Sequence, residues 1–318
     1  MTAGAPPAIV VDSLRKTFGD FTAVDGVSFT VPSGSVLAVL GPNGAGKTTT
    51  VNMLCTLLRP NGGSAQVAGF DVTKDAAAVR RSIMLTGQFA ALDESLTGKE
   101  NLILFGRLMG LNKTDATERA LGLLRTFKLS EFADRRIANY SGGMRRRIDI
   151  ACGLVVKPKV VFLDEPTTGL DPRSRQEVWR LISQLKTLGV TVLLTTQYLE
   201  EADLLSDNIV VIDRGRVIAE GTADQLKTRM GGVYCEVIPL DPNEFRQAMD
   251  LLSDLHPSLS SEDSAILVPA PHGSATLVEV VTRLAHARIE LADVGLRRPS
   301  LDEVFLHLTG STTSAPGA

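Results

Sequence analysis

The chain has 318 residues, a formal net charge of −3 and 44% hydrophobic residues. That length suits one large domain plus a small one, and the charge gives no reason to expect a nucleic-acid partner. No apolar run approaches the ~18–20 residues a membrane span needs. The N-terminus, MTAGAPPAIVV, lacks a basic stretch ahead of a long apolar one, so no signal peptide is expected. Cys55, Cys152 and Cys235 are odd in number and scattered, which fits a reducing cytosol and small core residues rather than a metal site.

In chain order, residues 1–7 read as a flexible lead. Ile9–Val31 alternates strands and turns without a helix, so an antiparallel β-subdomain is expected first. Val36–Leu40 is a strand that runs into a glycine loop, and Lys47–Leu58 reads as a helix. Ile83–Thr86 is strand-like, and Met144–Val156 reads as a helix. Val160–Leu163 and Val190–Thr195 are short β-branched or aliphatic runs, typical of strands covered on both faces. The alternation predicts a layered α/β domain over 8–228. Arg229-Met-Gly-Gly232 marks a break. Beyond it the pattern restarts: strand Val233–Pro239, helix Asn243–Leu255, strand Ala265–Val268, helix Ala275–Ala287, strand Ile289–Gly295, helix Leu301–Leu308. This predicts a small α+β accessory domain over 229–310, and the small polar residues 311–318 read as a disordered tail.

Gly41-Pro42-Asn43-Gly44-Ala45-Gly46-Lys47-Thr48 fits G-x-x-x-x-G-K-[ST] directly after a strand and at the head of a helix, with Thr49 next in line. The glycines let the backbone curl so that its N–H groups face a phosphate, and the helix N-terminus adds roughly half a positive charge. Lys47 can reach outer phosphates, and the Thr48 hydroxyl can ligate Mg²⁺. The apolar strand Val160–Leu163 ends in Asp164-Glu165. Asp164 is suited to hold Mg²⁺ through water, and Glu165 to orient or deprotonate an attacking water. A strand ending in two carboxylates is a weak signal alone; beside the phosphate loop it becomes a strong one.

Tyr140-Ser141-Gly142-Gly143-Met144 then resembles the LSGGQ signature of ABC ATPases, and it stands shortly before the acidic strand as it does in that family. Gly169-Leu-Asp171-Pro172 resembles the D-loop, and Gln88 the Q-loop glutamine. Phe18, in Lys16-Thr-Phe-Gly, matches the aromatic that stacks on adenine. Taken on its own physics, Ser141 is a good N-cap, and two glycines at a helix start leave N–H groups open to an anion. The resemblance implies an ABC-type P-loop ATPase core with antiparallel β- and helical subdomains, using ATP and Mg²⁺. It implies catalytic roles for Glu165, Gln88 and residue 197, with Gln88 also a Mg²⁺ ligand. It further implies that Ser141–Met144 act on the ATP held by a second copy. Two chains would sandwich two ATP molecules head to tail, and hydrolysis would be felt by a separate transmembrane permease. The chain would then sit on the cytoplasmic face of the membrane, held there only through the permease.

One position departs from the family pattern. Thr195-Thr-Gln197-Tyr-Leu-Glu-Glu-Ala-Asp203 carries glutamine where a γ-phosphate-contacting histidine is usual, and the four histidines (His256, His272, His286, His307) all lie in the accessory region. A glutamine amide still donates one hydrogen bond to a charged oxygen. The expected loss is ~1–2 kcal/mol, roughly ten- to thirtyfold in rate. A slower working ATPase is expected, with a non-hydrolysing ATP-gated switch as the alternative. The same stretch resembles the daunorubicin-resistance type of ABC ATPase, as do Tyr140–Ala151 and Leu296–Phe305. That resemblance implies export of an anthracycline-like drug, or alternatively of a polyketide-derived lipid. Soluble ABC ATPases of translation or DNA repair carry two ATPase copies or long coiled coils, and neither is present. Arg145–Arg147 read as a solvated helix face, with contact to the membrane partner or an acidic helix as the alternative. The accessory domain reads as support for the dimer or the permease contact, with cargo sensing or regulation as the alternative.

Overall fold

The computed structural model describes residues 6–86, 92–228, 232–260, 265–298, 300, 301, 304 and 305. The chain divides into two compact units, Met1–Glu220 and Gly221–Ala318.

The first unit opens with β1 (Ile9–Phe18) and β2 (Phe21–Val31), an antiparallel hairpin, followed by β3 (Val36–Leu40) and α1 (Lys47–Leu54). Next come β4 (Gly62–Val67), β5 (Phe70–Asp71), α2 (Ala76–Ser82) and β6 (Ile83–Thr86). Three helices follow, α3 (Gly98–Leu108), α4 (Lys113–Thr126) and α5 (Gly142–Gly153). The unit then alternates β7 (Val160–Asp164), α6 (Pro172–Thr187), β8 (Thr191–Thr196), α7 (Leu199–Leu205), β9 (Asn208–Asp213) and β10 (Arg216–Gly221).

Among the described residues these strands form two sheets. One has the order β2-β1-β4-β5, with antiparallel pairing throughout. The other has the order β10-β9-β3-β8-β7-β6, and the pairs from β9 to β6 are parallel. Every residue of β3, β7 and β8 is buried, as their unbroken apolar runs require of strands covered on both faces. The inner face of the antiparallel sheet (Ile9, Val11, Leu14, Val27, Val67) shares one core with α1 and with Phe162, Leu193 and Val210. The helices α3 to α5 form the helical subdomain, with α3 opened by a capping box between Thr97 and Glu100.

Two helices differ from expectation at their ends. α1 stops at Leu54 rather than Leu58, because Thr56 turns into the left-handed region at φ 64°. α5 starts at Gly142, directly after the Ser141 cap, and ends at Gly153.

The second unit contains α8 (Ala223–Thr228), β11 (Tyr234–Pro239), α9 (Phe245–Leu251), β12 (Ser258–Leu259), β13 (Ile266–Pro269), α10 (Ser274–His286) and β14 (Leu291–Arg297). Its described strands make an antiparallel sheet of order β12-β13-β11-β14. Alternate residues of β11 are buried, and Cys235 and Val237 pack with Ala248 and Leu252 of the α9 segment and Val280 and Leu284 of α10. The expected helix 243–255 is broken into α9 flanked by 3₁₀ turns, and His256 at φ 55° ends it. All three cysteines are buried and free.

Candidate functional site

Parallel pairing aligns the C-terminal ends of β3, β7 and β8. Leu40 is registered with Thr196, and Asp164 with Thr195. The residues that follow these strands therefore emerge along one edge. The Gly41 amide donates to the Thr196 carbonyl at 3.3 Å, which sets the loop after β3 one residue from Gln197.

The loop from Gly41 to Gly46 is pressed against backbone. A Cβ added at Gly41 would stand 2.2 Å from the Ile212 carbonyl oxygen, and one at Gly46 would stand 2.4 Å from that of Ala23. Gly46 also sits at φ 102°, closed to other residues. Pro42 is half-buried and Ala45 buried, while Asn43 and Gly44 face outward. The Gly215 amide donates to the Ala45 carbonyl at 3.0 Å and fixes the loop from the far side. The turn thus delivers Lys47, Thr48 and Thr49 as the first residues of α1.

Four of the sequence-predicted side chains meet here. Lys47, 4% exposed, donates to the carbonyls of Gly41 (2.9 Å) and Pro42 (3.1 Å) and lies 3.5 Å from Glu165 Oε1. The Thr48 hydroxyl donates to Asp164 Oδ1 at 3.2 Å. The same Asp164 oxygen accepts from the Thr195 hydroxyl at 2.5 Å. Thr195 was not singled out from sequence; the signal was a pair of hydroxyl residues closing an apolar strand. Its hydroxyl and carbonyl oxygens both accept from the Glu165 amide, at 3.0 and 3.2 Å.

Glu165 itself has φ 45°, a left-handed backbone that costs a non-glycine residue about 1–3 kcal/mol and persists only where the surroundings hold it. Its Oε2 accepts from the Thr168 hydroxyl at 3.2 Å. Thr48 and Asp164 present two hard oxygens side by side. That suits Mg²⁺, which keeps several waters and is usually held by few protein groups together with substrate phosphates.

Phe18, 47% exposed, ends β1 with the Lys16 ammonium 5.2 Å from its ring centre. Phe21, its partner in register across the hairpin, is 63% exposed. This second aromatic escaped the sequence reading, although Phe-Gly-Asp-Phe around a turn was its signal. Gln197 is half-buried at the end of β8, and Gln88 lies outside the described residues.

Ser141–Met144 form the head of α5. The Ser141 hydroxyl accepts from the Met144 amide at 3.3 Å; Ser141 and Gly142 are exposed, Gly143 and Met144 buried. A Cβ at Gly143 would stand 2.3 Å from Ser174 Oγ. Ser174 is in turn bound by Asp171, which caps α6 by accepting from the Arg173 and Ser174 amides and from the Ser174 hydroxyl at 2.6 Å. That hydroxyl and those N–H groups hold the Asp171 carboxyl below its ordinary pKa. No hydrogen bond or ion pair joins Ser141–Met144 to the phosphate loop among the described residues.

Two of the three arginines after the signature, Arg146 and Arg147, do not join the expected solvated face. Arg145 pairs with Glu94 at 2.7 Å, and Arg147 with Glu177 of α6 at 3.4 Å. The Arg146 side chain, 12% exposed, donates to the Pro166 carbonyl at 2.9 Å and the Asp164 carbonyl at 3.3 Å, and lies 3.5 Å from Asp149. Burial pushes its pKa down, opposed by the carboxylates of Asp149, Asp164 and Glu201. Glu201 of α7 is fully buried, and its Oε1 accepts from the Thr167 hydroxyl (3.0 Å) and the Trp179 indole (3.1 Å). Burial raises its pKa against the pull of those donors, Thr196 and Arg175.

The family described as ABC transporter matches residues 24–168, a span that contains the phosphate loop, the signature and the acidic strand end. The doxorubicin resistance ATP-binding protein DrrA of Mycobacterium tuberculosis is 55% identical, over 97% of this chain and 95% of its own. The chain belongs to the daunorubicin/doxorubicin-resistance family of ABC ATP-binding subunits. Daunorubicin resistance ATP-binding protein DrrA3 of Streptomyces coeruleorubidus is 52% identical, over 96% of this chain and 97% of its own. Among solved structures, the post-hydrolysis dimer of an ATP-binding cassette bound to ADP and Pi is similar, with a TM-score of 0.61 and 25% identity over 67% of this chain and 98% of that one. As an ABC ATPase the chain binds and hydrolyses ATP with Mg²⁺, and it works with a transmembrane partner. No helix of the described residues is long and apolar enough to cross a membrane.

Proposed function

We propose that this ABC ATPase drives outward transport of an anthracycline-like antibiotic through a separate membrane permease. It works as a homodimer at the cytoplasmic face and touches the membrane only through that permease. The convergence of Lys47, Thr48, Asp164 and Glu165 at the ends of neighbouring parallel strands carries the catalytic part. The cargo part is supported by relatives named for doxorubicin and daunorubicin resistance that match nearly end to end.

In this reading the backbone N–H groups from Gly41 to Thr49 and the head of α1 cradle the phosphates of ATP. Lys47, now turned toward the Gly41 and Pro42 carbonyls, is the cation that takes the outer phosphates. Thr48 and Asp164, joined by Gln88, would hold Mg²⁺, which when bound would supply charge neutralisation at the phosphate oxygens. Glu165 orients and deprotonates the attacking water, and the Gln197 amide supplies one hydrogen bond to the γ-phosphate side. Phe18 stacks on adenine.

Ser141, Gly142, Gly143 and Met144 act on ATP held by the partner copy, and Asp171 shapes that same interface. Cleavage of ATP removes the bridge between the copies and loosens the dimer. The accessory domain, 229–310, supports the dimer or the permease contact.

The test is ATP-dependent uptake of doxorubicin into inverted membrane vesicles containing the chain and the membrane protein encoded beside it. Uptake present in the wild type and lost in Glu165→Gln is the expected result. ATP turnover without uptake would reject the drug cargo and favour a polyketide-derived lipid. No turnover above Glu165→Gln would reject the motor itself and leave an ATP-gated switch.

A further inference from the structure

The three residues 164–166 are gripped from two sides. On one side the Thr195 hydroxyl and carbonyl oxygens accept from the Glu165 amide. On the other, one guanidinium donates to the carbonyls of Asp164 and Pro166, the residues that flank Glu165. That guanidinium is Arg146, which belongs to α5, the helix whose first turn is the signature. A planar guanidinium holds its N–H donors in a fixed fork, so it can serve two carbonyls in one set orientation, whereas a lysine ammonium is a compact charge on a flexible stem. Glu165 needs such a grip, because its left-handed backbone at φ 45° relaxes unless the flanking peptides are held. Arg146 stands five residues after Ser141 on one rigid helix. A shift of the signature turn is therefore passed directly to the peptides around the carboxylate.

We propose that Arg146 is a positioning residue that couples the signature helix to Glu165. Seating of α5 against the partner copy's nucleotide then sets the carboxylate of the same chain. This role rests on the assignment of Glu165 as the group that activates water.

The test compares steady-state ATP turnover of full-length wild type, Arg146→Met and Arg146→Lys, each co-expressed with the membrane protein encoded beside it. Each variant is also made in a Glu165→Gln background. Arg146→Met is expected to lower kcat about 10- to 100-fold and leave the KM for ATP within about twofold, because a small misplacement of a reacting group costs rate and not binding. In the Glu165→Gln background the same change is expected to add less than about a twofold further loss, since residues acting as a unit are not additive.

An unchanged kcat would overturn the proposal. So would a loss of the same size in the Glu165→Gln background, because Arg146 would then act elsewhere. If Arg146→Met does not fold, Arg146→Lys decides. A reduced kcat at unchanged KM supports the coupling, and wild-type kcat overturns it. Wild-type turnover in Glu165→Gln alone would overturn the assignment of Glu165 itself, and this role with it.

Discussion

At the ends of β3, β7 and β8, Lys47, Asp164 and Glu165 are each engaged by groups of the same chain at 2.5–3.5 Å. At the head of α5, Ser141 and Gly142 face solvent, and the glycine beside them is pressed against the cap of α6. The first region is a cluster of side chains that the proposed function gives to the phosphates of ATP. The second presents a fixed helix start and no charged side chain of its own. The contrast teaches that one region is held together by its own side chains, while the other is a helix start left open, which the proposed function gives to a second copy.

The largest break in this comparison should come from Glu165→Gln. Phosphate release is expected to fall roughly 10²–10⁴-fold, the range for losing a general base, while ATP-driven association persists. If association disappears as well, the strand-end cluster is not a binding half in its own right. Next is Gly143→Ala. Turnover is expected to fall about 100-fold, because the added methyl displaces the signature turn from Ser174. Nucleotide affinity of the single chain, read by fluorescent ATP titration, should stay unchanged. An equal loss of affinity would mean that the two regions are not separable.

Gln197→Ala sharpens the boundary, since Gln197 lies beyond β8 at the same edge as Gly41. Removing its one donor should cost roughly ten- to thirtyfold in kcat, and an unaffected rate would remove it from the site. Phe18→Ala should weaken ATP binding only about fivefold, the equivalent of ~1 kcal/mol of stacking. No change would point to Phe21 as the stacking ring.

The smallest effect concerns stability. Glu201 has its pKa raised by burial, so the folded state holds its proton more tightly than the unfolded chain. The stability this contributes is complete below the ordinary glutamate pKa and is lost as pH rises toward the folded value. Glu201→Gln keeps an acceptor for Thr167 and Trp179 and removes the charge. Its thermal midpoint relative to wild type should rise with pH over that window. A difference constant with pH would show that the carboxyl does not titrate there.

Much of the site could be read from the sequence because its rules are local. The glycine spacing of 41–46 is dictated by how closely a backbone must approach a phosphate and its own neighbours. The apolar runs of β3, β7 and β8 are dictated by burial on both faces. The caps at Ser141 and Asp171 follow from helix starts that need side-chain acceptors. All of these lie within a few residues of one another along the chain, so their physics is written in consecutive letters.

What the tertiary structure alone decided are the pairings across long separations. Thr195 reaches Asp164, Lys47 reaches Glu165, and Arg146 reaches the carbonyls around Glu165 only because parallel strands and α5 converge at one edge. Arg145–Arg147 read as a solvated face because charge on a helix usually faces water. Packing of α5 against residues 164–166 and α6 buried two of the three instead. Glu165 carries the same lesson in its backbone. Its residue type announces chemistry, but its left-handed φ is a strain that surrounding hydrogen bonds sustain, and strain belongs to the fold as a whole.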